Sequence, residues 1–165
     1  RRSRPDDRGM SEPHPLAVAA RARKLARADA LGIDAAFIDR LVETFYARIR
    51  EDAVLGPIFA ARIADWPPHL ARMKQFWGAV LRESGGFTGN PMQKHVAIPG
   101  IEQAEFDRWL SLFEAALQEI ERDPQASALI AARARTIAES LLTGIRIHRD
   151  GMLPRSARAT TSGGT

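Results

Sequence analysis

Apolar residues recur at helical spacing along most of this chain, and no stretch alternates apolar with polar as a strand would. The firmest pattern starts behind Asp34, which suits a helix N-cap. Phe37, Ile38, Leu41, Val42, Phe45, Tyr46 and Ile49 make one inward face and predict a helix to about Arg50. Gly56 and Pro57, in L-G-P-I-F at 55–59, predict a short helical turn within residues 52–63 that delivers Ile58 and Phe59 to the core. Asp65-Trp66-Pro67-Pro68 joins an acidic cap to proline in the first turn, a start signal. The face behind it reads His69, Leu70, Met73, Phe76, Trp77 and Val80, and the pattern stops at Ser84-Gly85-Gly86.

A glycine-rich link at 87–90 leads to a short proline-started segment, Pro91 to His95, and a loop punctuated by Pro99 and Gly100. The next helix runs from about Glu102 to Arg122 with Phe106, Trp109, Leu110, Phe113, Ala116, Leu117 and Ile120 inward. Asp123-Pro124 ends it and starts the last one, which carries Leu129, Ile130, Ile137, Leu141 and Ile145 to His148 and closes at Asp150-Gly151. The expected class is all-α, with four substantial helices and two short connecting segments. The expected organisation is a helical domain over 34–150, a flexible or partly helical N-terminal extension over 1–33, and a disordered C-terminal tail over 151–165. Within the extension, Pro5, Gly9, Pro13 and Pro15 predict disorder over 1–15. Residues 16–31 are rich in Ala and Arg and suit a helix with a thin apolar face. Met10 reads as a start residue preceded by an upstream extension.

Composition narrows the chemistry. A chain of 165 residues with 45% hydrophobic residues is long enough to bury a core. The absence of cysteine excludes disulfides, thiolate nucleophiles, cysteine zinc sites, iron–sulfur clusters and covalent haem attachment. The net charge of +4 invites a nucleic-acid reading until the charges are located. Residues 1–30 hold eight basic and four acidic side chains, and 151–165 hold Arg155 and Arg158 with no acid. The stretch between them, 31–150, holds fourteen basic and sixteen acidic side chains and is net acidic. Basicity therefore belongs to the ends, and no nucleic-acid partner is expected. No signal-peptide pattern or stretch of roughly 20 apolar residues is present. The expected location is the cytoplasm, with no membrane span.

Two of the four histidines flank the central helix and link: His69 at its start and His95 at its end. Each has an ordinary explanation, as a half-buried structural residue or a surface histidine closing a turn, and Tyr46, Met73 and Trp109 read by default as core. Together they describe something else. A flat apolar cofactor lying between the histidines, walled by Phe45, Phe59, Met73, Trp77 and Phe106, would meet a neutral imidazole from His95 on one side. Tyr46, Trp109 and His69 on the other side are hydrogen-bond donors for a small ligand.

The order and spacing of several motifs carry a resemblance. F-Y at 45–46, L-G-P-I-F at 55–59, W-P-P-H at 66–69, F-W at 76–77, P-M-Q-K-H at 91–95 and F-D-R-W-L at 106–110 resemble the group III truncated haemoglobins over about residues 34–150. The resemblance implies a two-over-two helical sandwich holding non-covalent haem b, with His95 on the iron. It implies Tyr46 and Trp109 as the distal hydrogen-bonding pair, His69 as the distal histidine, and Phe45, Phe59, Met73 and Trp77 at pocket-lining positions. The expected function is binding of dioxygen or a related diatomic ligand at a five-coordinate iron with a polar distal pocket. Nitric oxide detoxification or peroxidase-like redox chemistry, served by an unidentified reductase, is the sharper version. A haem-free helical sensor or protein-interaction module is the alternative, and whether the protein is an enzyme stays open. From position alone, Arg72 and Lys94 suit the haem propionates. The Ala- and Arg-rich extension lies outside the resemblance.

Overall fold

The structure, a computed structural model, describes residues 12–83, 87 and 89–151. The expected disorder before residue 12, the stop signal at 84–86 and the tail from 152 onward lie outside the described residues. Among the described residues seven helices follow one another: α1 Pro15–Ala30, α2 Ala35–Glu51, α3 Leu55–Ala60, α4 Trp66–Arg82, α5 Pro91–Val96, α6 Gln103–Ile120 and α7 Pro124–Gly151. Among the described residues there is no strand.

Local chemistry sets the ends of these helices. The Asp34 carboxylate accepts from the Phe37 amide at 2.7 Å and starts α2. Asn90 does the same for α5 through the Gln93 amide, and Asp123 starts α7 through the Gln125 amide. At α6 the side chain of Glu105 reaches back to accept from the Glu102 amide at 2.8 Å, as in a capping box. Helix α4 has prolines in its first turn and ends on Glu83, which itself takes the left-handed conformation (φ 54°).

Helices α2 and α4 form one packed pair and α6 and α7 the other, joined mainly through α2 against α6. The buried face of α2 contains all seven of the residues its periodicity predicts. Phe113 of α6 stacks on Trp77 of α4 and on Trp109, which seats the centre of the main core. On α7 the buried positions include Ala126, Ala131, Ala134 and Ala138, whose small side chains let α6 approach closely. A second, smaller apolar cluster of Ile101, Phe106, Ala138, Leu142 and Ile145 lies apart from the main one.

The extension is helical from Pro15 and docks on α4. Ala28 and Ile33 enter the main core. Arg82 donates to Asp29 at 2.6 Å and to the Ile33 carbonyl at 2.7 Å, and Lys24 pairs with Glu83. No described helix is long and apolar enough to cross a membrane.

Candidate functional site

Between the two apolar clusters lies a cavity of about 560 Å³. It is lined from α2 by Tyr46, from α3 by Phe59, from α4 by His69, Met73 and Trp77, from α5 by His95, and from α6 by Phe106 and Trp109. A cavity of this size with mostly apolar walls and a few polar groups has the anatomy of a cofactor site.

His95 is presented by α5, whose six residues begin at Pro91. Its Nδ1 lies 2.6 Å from the Pro91 carbonyl oxygen, one helical turn back. A carbonyl only accepts, so this contact puts the proton on Nδ1 and leaves Nε2 with its lone pair free. That is the arrangement of a metal-binding histidine, with ring orientation fixed by a backbone partner. No group of three or more His, Cys, Asp or Glu residues suited to a metal exists among the described residues. A metal at His95 would therefore have to bring most of its own ligands, as an iron porphyrin does.

Polar groups gather on other walls. Burial pushes the Tyr46 phenol well above its ordinary pKa, so it stays protonated and able to donate. The Tyr46 ring meets His69 edge-on at 5.2 Å, Trp66 meets His69 edge-on at 5.8 Å, and Tyr46 and Trp66 lie 5.9 Å apart, so the three rings pack as one cluster. Burial, with the positive charges of Arg72 and Lys94, lowers the pKa of His69, which favours the neutral imidazole. Its Nε2 is buried without a hydrogen-bond partner. A buried polar atom left unpaired costs on the order of 1–3 kcal/mol, so it points to a partner supplied by whatever occupies the cavity. Outside Trp66 lies the Arg50 guanidinium, 4.7 Å from the ring centre.

Phe59, Met73, Trp77 and Phe106 line the cavity, but Phe45 does not. Successive residues on a helix point about 100° apart, so with Tyr46 facing the cavity Phe45 turns into the core. There it is 1% exposed and meets Tyr46, Trp109 and Phe113 edge-on at 5.0, 5.3 and 5.2 Å. It backs two of the polar wall residues instead of forming wall itself. Arg72 and Lys94 do line the cavity, joined by Arg62 and Glu105.

Sequence reasoning missed one supporting interaction. Asp52 caps α3 by accepting from the amides of Val54 and Leu55, and it takes Arg108 in a fork through both carboxylate oxygens. Arg108 and the helix-capping amides hold the Asp52 carboxyl down at about 2. This pair ties the end of α2 and the start of α3 to the residue before Trp109, three elements that wall the cavity. The spacing of Asp52 three residues ahead of Leu55 was the available signal for the cap; nothing local signalled Arg108.

Comparison with known proteins gives consistent results. The bacterial-like globin family matches residues 28–142. The chain is 35% identical over 105 residues to the group 3 truncated hemoglobin ctb of Campylobacter jejuni, covering 61% of this chain and 82% of that protein. Among solved structures, the group III truncated hemoglobin of Campylobacter jejuni superposes with a TM-score of 0.64 at 34% identity, covering 68% of this chain and 91% of that one. The hemoglobin of the thermophilic phototrophic bacterium Chloroflexus aurantiacus superposes with a TM-score of 0.58 at 25% identity, covering 70% and 95%.

Proposed function

This chain is a member of the bacterial-like globin family with an all-α truncated-globin fold, and we propose that it is a haem protein that binds dioxygen or a related diatomic ligand. The observation that carries the reading is the cavity itself: His95, with Nδ1 satisfied by Pro91, shares it with an unpartnered buried Nε2 on His69. In this reading His95 holds the iron of a non-covalent haem b through Nε2. Phe59, Met73, Trp77 and Phe106 hold the ring, and Arg62, Arg72 and Lys94 meet its carboxylates. Haem, when bound, supplies an open coordination position and one-electron redox chemistry.

The chain's own residues would then do three things. The Pro91 carbonyl fixes the His95 tautomer and ring orientation. Tyr46, kept protonated by burial, and the Trp109 N–H donate to a polarised ligand, with neutral His69 beside them. Phe45 and Phe113 hold the Tyr46 and Trp109 rings in place and exclude water from behind. Several donors around one small ligand favour slow release, which suits redox turnover with nitric oxide or peroxide, fed by a reductase, better than transport. The test is an absorption spectrum of protein as purified and after adding haemin, for wild type and His95→Ala. A sharp Soret band in the wild type that weakens in the variant is expected. No specific band in the wild type would sink the reading and leave a haem-free helical module in its place.

A further inference from the structure

Behind the polar wall of the cavity stands a ring that does not line it. Tyr46 and His69 are both wall residues, whereas Trp66, packed against them at 5.9 and 5.8 Å, is not. Trp66 is half-buried and is the first residue of α4, three positions ahead of His69. Residues three apart share a helix face, and helical side chains lean toward the N-terminus, so the His69 imidazole reaches back over Trp66. Pro67 and Pro68 fill the positions between, and their locked φ keeps this first turn from unwinding easily. Outside Trp66, the Arg50 guanidinium of α2 sits 4.7 Å from the ring centre. Arg50 is exposed and makes no ion pair among the described residues, so the Trp66 face is where its charge is engaged.

Nothing in the protein pairs with His69 Nε2, which is buried, so hydration alone would favour turning the imidazole out to water. The ring nevertheless faces the cavity, and its half-buried place in the wall puts it between the cavity and solvent. Fraying of α4 is opposed by the two prolines, which leaves side-chain rotation as the way out. That rotation has to separate the imidazole from the Trp66 ring, and Trp66 cannot follow it without leaving Arg50. We propose that Trp66, pinned by Arg50, is a positioning residue that holds His69 over the cavity and so selects entering ligands by size. This role presumes the haem proposed for that cavity. Diatomic ligands pass a partly turned ring, whereas a ligand with an alkyl body needs His69 displaced. Arg50 acts through Trp66 and not on the ligand, since it is no part of the cavity wall. Entry of a bulky ligand runs through the fraction of molecules with His69 turned away, so its rate follows that fraction.

The experiment measures association of carbon monoxide and of n-butyl isocyanide with the ferrous, haem-loaded full chain by flash photolysis. Arg50→Gln should speed isocyanide entry about 2–5-fold, the worth of an exposed cation–π contact. Trp66→Leu should speed it about 3–10-fold through the lost ring packing. Carbon monoxide should gain less in both. Arg50→Lys keeps a cation over the ring and should stay near the wild-type rates. Arg50→Gln should add nothing to Trp66→Leu, and neither should matter in a His69→Ala background, because both act through that imidazole. Unchanged isocyanide rates in Arg50→Gln and Trp66→Leu overturn the proposal. So does the same acceleration in the His69→Ala background, or equal acceleration of both ligands, which leaves no selection by size. Should Trp66→Leu fail to fold, Arg50→Gln, at an exposed position, decides alone. If no Soret band forms, the haem reading fails, and the His69 ring signals in NMR spectra of the same full chain decide this role instead. Arg50→Gln should shift or broaden them where Arg50→Lys does not, and unchanged signals overturn the proposal.

Discussion

Phe45→Ala separates a wall residue from a supporting one. Phe45 is 1% exposed and touches the rings of Tyr46, Trp109 and Phe113, so removing its ring opens a hole that helices α2 and α6 cannot close without moving both. Truncating a buried Phe costs about 3–5 kcal/mol, the lost transfer energy plus the residual cavity. Against a total stability of about 5–15 kcal/mol this is a large fraction. At about 2–4 °C per kcal/mol for a chain of this size, the melting temperature should fall by roughly 6–20 °C. Phe59→Ala removes a half-buried ring from the cavity wall and should cost clearly less stability while weakening haem retention more. The assay is urea unfolding of both variants with matched haem content, with Phe45→Leu included because it keeps most of the volume and should lose only about 1–2 kcal/mol. If Phe45→Ala loses less than about 1 kcal/mol, or less than Phe59→Ala, the assignment of Phe45 to the core is wrong.

Other outcomes are expected from the same geometry. Tyr46→Phe and Trp109→Phe should each speed ligand dissociation by about 5–10-fold, the worth of one hydrogen bond, with haem content unchanged by absorbance; stopped-flow rates equal to wild type in both would remove them from the distal role. Asp52 has a folded pKa of about 2, below its ordinary value near 3.8, so its contribution to stability is whole above pH 4 and disappears as the pH falls toward 2. Asp52→Asn should flatten that part of an acid-unfolding curve, and an unchanged curve would contradict the Asp52–Arg108 fork. Gly56→Ala should destabilise by about 1–3 kcal/mol, because its Cβ would stand 3.0 Å from the Arg50 carbonyl and 3.3 Å from that of Ile49; a melting temperature within about 1 °C of wild type, roughly the assay error, would show that the α2–α3 corner relaxes freely.

The helices were legible because each places large apolar residues on one face, as α2 does with seven. The alanine face of α7 was not: Ala126, Ala134 and Ala138 are buried, while Ala132 on the same helix is exposed, and alanine's high helix propensity makes the two look alike. The docking of α1 was also hidden, since it rests on Ala28, on Ile33 and on Arg82 reaching back 53 residues to Asp29. At the cavity, residue types identified Tyr46, His69, His95 and Trp109 as its polar members. Telling Phe45 from Tyr46 needed the absolute rotation of α2, which periodicity fixes only to a broad face. The Asp52–Arg108 fork spans 56 residues, a distance over which local pattern carries no information.

The core is divided, and the division would give a cofactor in the cavity a mechanical role. The smaller cluster of Ile101, Phe106, Ala138, Leu142 and Ile145 meets the larger one across the cavity, whose walls come from both. An apolar disc filling that space acts as mortar between two courses of masonry. If the cavity holds haem, then without it α5 and the first turn of α6 would rest mainly on the smaller cluster and α7, and they should be the part of the chain that opens first. Amide exchange across 91–106 would then report whether the cavity is filled.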